Sequence, residues 1–308
     1  MPQAIRKIRK RVQSIGNIKK ITKAMELVST AKMRKAVMAD LASRPYAELA
    51  WQILLNIAEH TETDFHPFLE HRPVRTIGVI VVSSNRGLCG VFNQQVARCA
   101  LGYVRQLTAA APETTFEFIT VGKRGAQALA RAGCRIVGDF NKMDTITSVA
   151  QIHPVSHFVT DAYLAGRLDR VVVAYTDFVS TLSQHARVKQ LLPLPHEWEL
   201  NARAATGAAV ERGSHEPAPA KPFEYTFEPD VPTVLAAFLP LLFEVQLFQA
   251  MLESEASEHS ARMMAMRNAT EAASDLISDL TLTFNKARQA AITQELTEIT
   301  NSKAALEA

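Results

Sequence analysis

The chain has 308 residues, 47% hydrophobic and 21% charged, a balance that supports packed structure and excludes a wholly disordered chain. Its formal net charge of +3 is too small for whole-protein electrostatics to select nucleic acid or an anionic membrane surface. Cys89, Cys99 and Cys134 are odd in number and lack C-x-x-C spacing, so neither a disulfide framework nor a cysteine-based zinc site is indicated and a reducing compartment fits.

From the N-terminus, Ile5, Ile8, Val12, Ile15, Ile18, Ile21, Met25 and Val28 recur every three or four residues, which predicts a helix with one apolar stripe. Gly16 weakens it by about 1 kcal/mol relative to Ala, and Pro45 is expected to kink or divide it before helix resumes to about Ala58. A first segment at 1–60 of this length would reach roughly 85 to 90 Å, which requires a partner as long as itself. Residues 1–35 hold eleven Lys or Arg and one acid, Glu26, so an acidic neighbour is expected. The basic pattern runs without a break into the helix, so no targeting segment is expected there.

The pattern then changes to short β-branched runs at Thr76–Ser84, Phe116–Gly122, Cys134–Gly138 and Arg170–Tyr175, which suit buried strands. Helical stretches at Asn93–Leu107 and Arg124–Ala132 separate them, and this alternation predicts an α/β domain at 74–195 with a mostly parallel sheet. His185–Leu194 is read as an antiparallel edge strand. Residues 196–229 are read as a loop and return segment, with Ala-, Gly- and Pro-rich Asn201–Pro222 expected to be mobile.

A last helix is predicted over 230–302, with Asp230 as N-cap, Pro232 in its first turn and a bend at Pro240. Phe238, Leu242, Val245, Phe248, Leu252, Met263, Met266, Leu276, Leu280, Phe284, Ile292, Leu296 and Ile299 keep its helical spacing, and small Ala256, Ser260, Ala269 and Ala273 fall near the seam. The apolar stretch Val234–Leu252 is interrupted by Pro240, Glu244 and glutamines, so no membrane-spanning helix is expected. The fold class is therefore a long antiparallel coiled coil of N- and C-terminal helices plus a central α/β domain.

Few motifs carry chemistry. "SSNRGLCG" at Ser83–Gly90 and "VGKRGA" at Val121–Ala126 follow strands, but neither has the spacing of a phosphate-binding loop and both read as tight turns. Cys89 has no identifiable base and reads as a packed thiol. The nine histidines form no metal-ligand motif, so no metal is expected, and Glu253, Glu255 and Glu258 read as solvated helix positions. Two other functions stay open on the residues alone. One is nucleic-acid binding by the basic helix, against which stands the absence of interleaved aromatics; the other is nucleotide chemistry in the α/β domain.

Three blocks carry a resemblance. "IRKRVQSIGNIKKITKAMELVSTAKMRKA" at Ile8–Ala36, "NRGLCG" at Asn85–Gly90, and "ASEHSARMMAMRNAT" with "LTFNKARQAAITQELTEI" together resemble the gamma subunits of rotary, F-type ATP synthases. The resemblance implies a non-catalytic central-stalk rotor, without cofactor or metal, turning inside a ring of alternating alpha and beta subunits. It implies epsilon and the proton-driven c-ring as partners of the α/β foot, no nucleic-acid partner, and peripheral attachment at the cytoplasmic face of the bacterial inner membrane. By the same resemblance, Met25 faces the acidic lever of the beta subunit, with Lys20 and Lys23 supplying weak long-range attraction. Arg288 and Gln289 contact a carboxylate-bearing catch loop, and Thr293 and Glu295 follow on that face, where contacting the stator and stabilising the coiled coil both stay open. Arg86, Gly87, Leu88, Cys89 and Gly90 form the signature loop of the foot. Two positions depart from the pattern: Asn85 stands where the family usually has Asp, and Val91 where it has a small residue. No cysteine pair occurs in Pro193–Phe223, so a thiol switch is not expected.

Overall fold

A computed structural model describes residues 3–60, 66–70, 72–194 and 230–307. The predicted loop Asn201–Pro222 lies outside the described residues. Eleven elements follow in chain order. They are α1 (Gln3–His60), β1 (Thr76–Val82), α2 (Phe92–Ala110), β2 (Thr115–Val121), α3 (Lys123–Arg131), β3 (Ile136–Phe140), a 3-10 turn at Val149–Gln151, α4 (His153–Leu164), β4 (Arg170–Phe178), β5 (Gln184–Leu192) and α5 (Val231–Glu307). The chain divides into two compact units, 1–31 with 260–308, and 32–259, and α1 and α5 contribute to both.

In the unit of residues 32–259 the strands lie in the order β3-β2-β1-β4-β5. The first four run parallel, and β5 pairs antiparallel with β4 at the edge. The strands are apolar on both faces because both faces are covered. Ile77, Val79 and Val81 pack with Val96 and Ala100 of α2 and Leu129 of α3. Ile80, Val82, Ile119, Val171 and Val173 face the other way, onto Val155, Val159 and Tyr163 of α4 and Leu239, Leu242, Phe243 and Leu247 of α5. The start of α5 is fixed as expected: Asp230 Oδ1 accepts the Thr233 N–H at 2.8 Å. That bond holds the Asp230 carboxyl below its ordinary pKa.

Several expectations are corrected. α1 continues through Pro45, so the division allowed for there does not occur. α4 has no counterpart among the predicted elements; Pro154 in its first turn is compatible with helix because that position needs no intrahelical N–H bond. By length and mean hydropathy a window of α5 could cross a membrane, contrary to expectation. Its apolar residues Leu235, Leu239, Leu242, Phe243, Leu247 and Leu252 are instead buried in the core shared with the sheet. Glu255 and Glu258, read as solvated, are buried at 1% and 7% exposure. The helix there is lined with small Ser254, Ala256, Ser257 and Ser260, which are themselves buried, so neighbouring protein closes over it on all sides.

In the unit of residues 1–31 and 260–308, α1 and α5 pair antiparallel. Lys19 Nζ donates to Ser274 Oγ at 3.0 Å, and Thr270 Oγ1 donates to Thr22 Oγ1 at 2.8 Å, so facing residue numbers add to 292 or 293. Buried Thr22 and Ser29 on α1, and Met266 and Ala273 on α5, are each one heptad apart, the repeat of a two-helix seam.

Phe243 is fully buried and packs edge-on against Phe68 at 6.3 Å between ring centroids. Phe243→Ala should destabilise the 32–259 unit by about 3–5 kcal/mol, read as a lowered urea midpoint by circular dichroism. A loss below about 1 kcal/mol would show that α5 does not anchor this core.

Candidate functional site

Two groups of residues were marked by resemblance, and the structure places each group in a single unit. Lys20, Lys23, Met25, Arg288, Gln289, Thr293 and Glu295 lie in the helix pair; Arg86, Gly87, Leu88, Cys89 and Gly90 lie in the 32–259 unit.

In the pair, the observed seam departs from the predicted stripe. Ile5, Ile8, Val12 and Ile15 lie on it as expected, but beyond Gly16 the packed positions are Lys19, Thr22, Met25 and Ser29. Ile18, Ile21, Leu27 and Val28 are half or more exposed. Ile18, Ile21 and Val28 each stand one residue before Lys19, Thr22 and Ser29, while Met25 belongs to both the predicted stripe and the seam. Cross-helix hydrogen bonds from Lys19 to Ser274 and from Thr270 to Thr22 hold the polar residues inward. On α5, Leu276, Leu282, Leu296 and Ile299 are likewise more than half exposed. The two helices therefore expose large apolar side chains, Leu296 and Ile299 past the described start of α1, a surface of the kind that packs against other protein.

The marked residues occupy two stations on this surface. Met25 is half-buried at the seam, and by the register it stands near 267–268, about 20 residues or roughly 30 Å from Arg288 along α5. Lys20 is exposed. Lys23 is exposed but paired within its own helix, with Nζ 3.0 and 2.9 Å from the two carboxylate oxygens of Glu26. Arg288, Gln289, Thr293 and Glu295 are all exposed, and Thr293 Oγ1 donates back to Gln289 O at 3.0 Å. By the register Gln3 stands opposite 289–290, so Thr293 and Glu295 lie past the described start of α1. Sequence reasoning missed Lys19, which bridges the helices.

The signature loop is a turn tied at its base to neighbouring elements. Ser84 N–H donates to Asn93 Oδ1 at 2.9 Å, and Arg124 N–H donates to Ser84 O at 3.0 Å. Cys89 is buried and receives Asn93 Nδ2–H at 3.1 Å, which agrees with a packed thiol. Leu88 and Gly90 have φ of 63° and 57°, the left-handed region that costs a leucine about 1 kcal/mol or more. Leu88 and Val91 project outward at 62% and 58% exposure, so the bulk of Val91 meets no neighbour that would resist it. The second turn, Val121–Ala126, is explained by close approach: a Cβ on Gly122 would sit 2.3 Å from Ser83 O, and one on Gly125 2.6 Å from Ser83 Oγ.

Asn85 connects this loop to α5. Its Nδ2–H donates to Lys142 O, which an Asp could not do. Lys142 Nζ, buried, lies 2.6 Å from Glu258 Oε2, and Ile146 N–H donates to Glu255 Oε2 at 2.9 Å. Burial raises the Glu255 carboxyl to about 7; the Lys142 charge and the Ile146 bond oppose this, and the Glu258 charge adds to it.

The family described as ATP synthase matches residues 4–306. The ATP synthase gamma chain of Opitutus terrae is 39% identical over 297 residues, covering 96% of each chain. That of Variovorax paradoxus is also 39% identical, covering 97% of each. The chain belongs to the ATP synthase gamma-chain family. It is thus a subunit of a membrane-associated ATP synthase. The fold agrees with solved relatives. A chain of the Euglena gracilis mitochondrial ATP synthase, from a structure described as OSCP/F1/c-ring, superposes with TM-score 0.63 at 18% identity, covering 98% of this chain and 94% of the other. One from the Tetrahymena thermophila central stalk and c-ring gives 0.55 at 21%, covering 81% and 99%.

Glu255 offers a test of the buried network. With its folded pKa raised from 4.5 to about 7, the folded state holds a proton in that window that the unfolded state releases. Its contribution to stability therefore falls as pH rises from about 4.5 to 7, by up to about 3 kcal/mol. Glu255→Gln removes this titration while keeping an acceptor for Ile146 N–H. The Tm of the variant minus that of the native chain should be higher at about pH 8 than at about pH 5. An unchanged difference would show that Glu255 is not protonated in the folded protein.

Proposed function

We propose that this gamma-family chain is the non-catalytic rotor of the central stalk, carrying torque between a proton-driven membrane ring and the alpha/beta ring where nucleotides react. The observation that carries this reading is the set of exposed large apolar side chains, Ile18, Ile21, Leu27 and Val28 on α1 and Leu276, Leu282, Leu296 and Ile299 on α5. Helices whose seam is partly polar and which show large apolar side chains among their outward charges fit an enclosing protein ring better than open solvent. The descriptions of its structural neighbours, as rotor, central stalk and c-ring components, support the same partners for this chain. The bacterial relatives support a place at the cytoplasmic face of the inner membrane.

A rotor must release each contact as it turns, so its stator contacts need to be weak and repeatable. Exposed Lys20, and Lys23 already offset by Glu26, supply charge that is screened and shallow. Met25 supplies a small apolar contact, and exposed Arg288 can make directed bonds to a carboxylate of the ring, with Gln289, Thr293 and Glu295 beside it. Exposed Leu88, in the turn from Arg86 to Gly90, offers an apolar contact for the foot's partners, epsilon and the c-ring.

Mixing the purified chain with alpha and beta subunits should give a stable complex whose ATPase rate exceeds that of any component alone. Failure to assemble, or ATP hydrolysis by this chain by itself, would overturn the rotor reading. Within the assembled enzyme, Arg288→Ala should lower coupled turnover several-fold while shifting stability by less than about 0.5 kcal/mol, because the side chain is exposed. Matching losses in melting temperature and turnover would instead make Arg288 a structural residue.

A further inference from the structure

The 32–259 unit holds a cluster of metal-binding chemistry that no linear motif announces. α4 opens with His153, and His157 follows four residues later, so both imidazoles stand on one helix face. Glu244 of α5 meets them. Its Oε1 lies 3.0 Å from His153 Nδ1 and also accepts the Ser156 hydroxyl at 3.0 Å. One ligand atom from each of His153, His157 and Glu244 falls within 4.8 Å of the others.

A simple His–Glu ion pair would account for His153 and leave His157 without a reason to be there. Metal geometry accounts for all three. Bonds of about 2.0–2.1 Å to a tetrahedral ion set its ligand atoms roughly 3.4 Å apart. His153 and Glu244 already meet that spacing, and exposed His157, its ring centroid 5.6 Å from that of His153, closes the remainder by side-chain rotation. Glu244 is fixed where a ligand is needed, because its side chain is only 12% exposed and Ser156 holds one of its oxygens. Two imidazole nitrogens and one carboxylate suit a borderline-soft ion such as zinc and are poor ligands for magnesium or calcium. His153 and Glu244 also line a cavity of about 420 Å³, whose other walls include Tyr46, Val149, Leu241 and Phe248.

We infer that His153, His157 and Glu244 form a binding site for a zinc-like divalent transition ion, with three protein ligands and a fourth position open to the adjoining cavity. An ion there bridges α4 to α5 within one unit. This assignment is independent of the rotor reading, since it concerns only groups inside the 32–259 unit.

The test uses the purified full-length chain, stripped with chelator and titrated with Zn2+ against a chromophoric competitor, with Co2+ as a spectroscopic probe. Stoichiometric Zn2+ binding is expected, with a tetrahedral visible Co2+ spectrum. His157→Gln and Glu244→Gln should each weaken Zn2+ binding at least about tenfold. His157 is exposed, so H157Q should keep the native circular dichroism and, in chelator, the native melting temperature. No Zn2+ binding, or binding that both variants leave unchanged, overturns the proposal. Mg2+ competing as well as Zn2+ would also overturn it, because the donor set would then not be nitrogen.

Discussion

A helix of 77 residues cannot draw its stability from its own hydrogen bonds, and the burial found along α5 is the constraint that organises this protein. Over its first 20 or so residues the apolar side chains complete the core on one face of the sheet. Around Ser254 to Ser260 small residues allow burial on every side. From Met266 to about residue 290 one narrow seam suffices, because α1 returns alongside in the opposite direction. Each change of environment is matched by a change of residue type: large apolar, then small and polar, then a heptad of mixed character.

The second consequence concerns polar groups inside the α/β unit. A buried Lys142–Glu258 pair is weak evidence for stability, because removing two charges from water costs about what their attraction returns. Its value here is positional. Through Asn85 on the Lys142 carbonyl, and Glu255 on the Ile146 amide, the segment at 142–146 is fastened both to the signature loop and to α5. At its base the loop is tied to α2 and α3, since Ser84 N–H donates to Asn93 Oδ1 and Arg124 N–H donates to Ser84 O. The family signature thus sits on a brace between these elements.

Much of the fold was legible because its signals were repetitive. Four β-branched runs, the edge strand at His185–Leu194 and the Asp230 cap followed from local patterns that the tertiary structure had no reason to override. What was not legible depended on contacts between distant segments. The stripe through Ile18 and Ile21 obeys helical spacing as well as the true seam does, and only Ser274 and Thr270 across the pair decide between them. Glu255 and Glu258 look solvated until the rest of the unit closes over them, and α4 was hidden by its proline and its short length. The marked loop and helix residues came from resemblance to a family, and which of them stand exposed, as Arg288 does, or packed, as Cys89 is, could not have been read from spacing alone.

The outer surface of the terminal half of α5 has one further property. Exposed Thr281, Thr283, Thr293, Thr297 and Thr300 each turn the hydroxyl proton inward, to the carbonyl one turn earlier. The hydroxyl donors on this stretch are thereby already spent, and a passing neighbour finds oxygen acceptors and hydrocarbon in their place. Directed bonds from this face therefore fall to a few long side chains, such as Arg288 and Gln289.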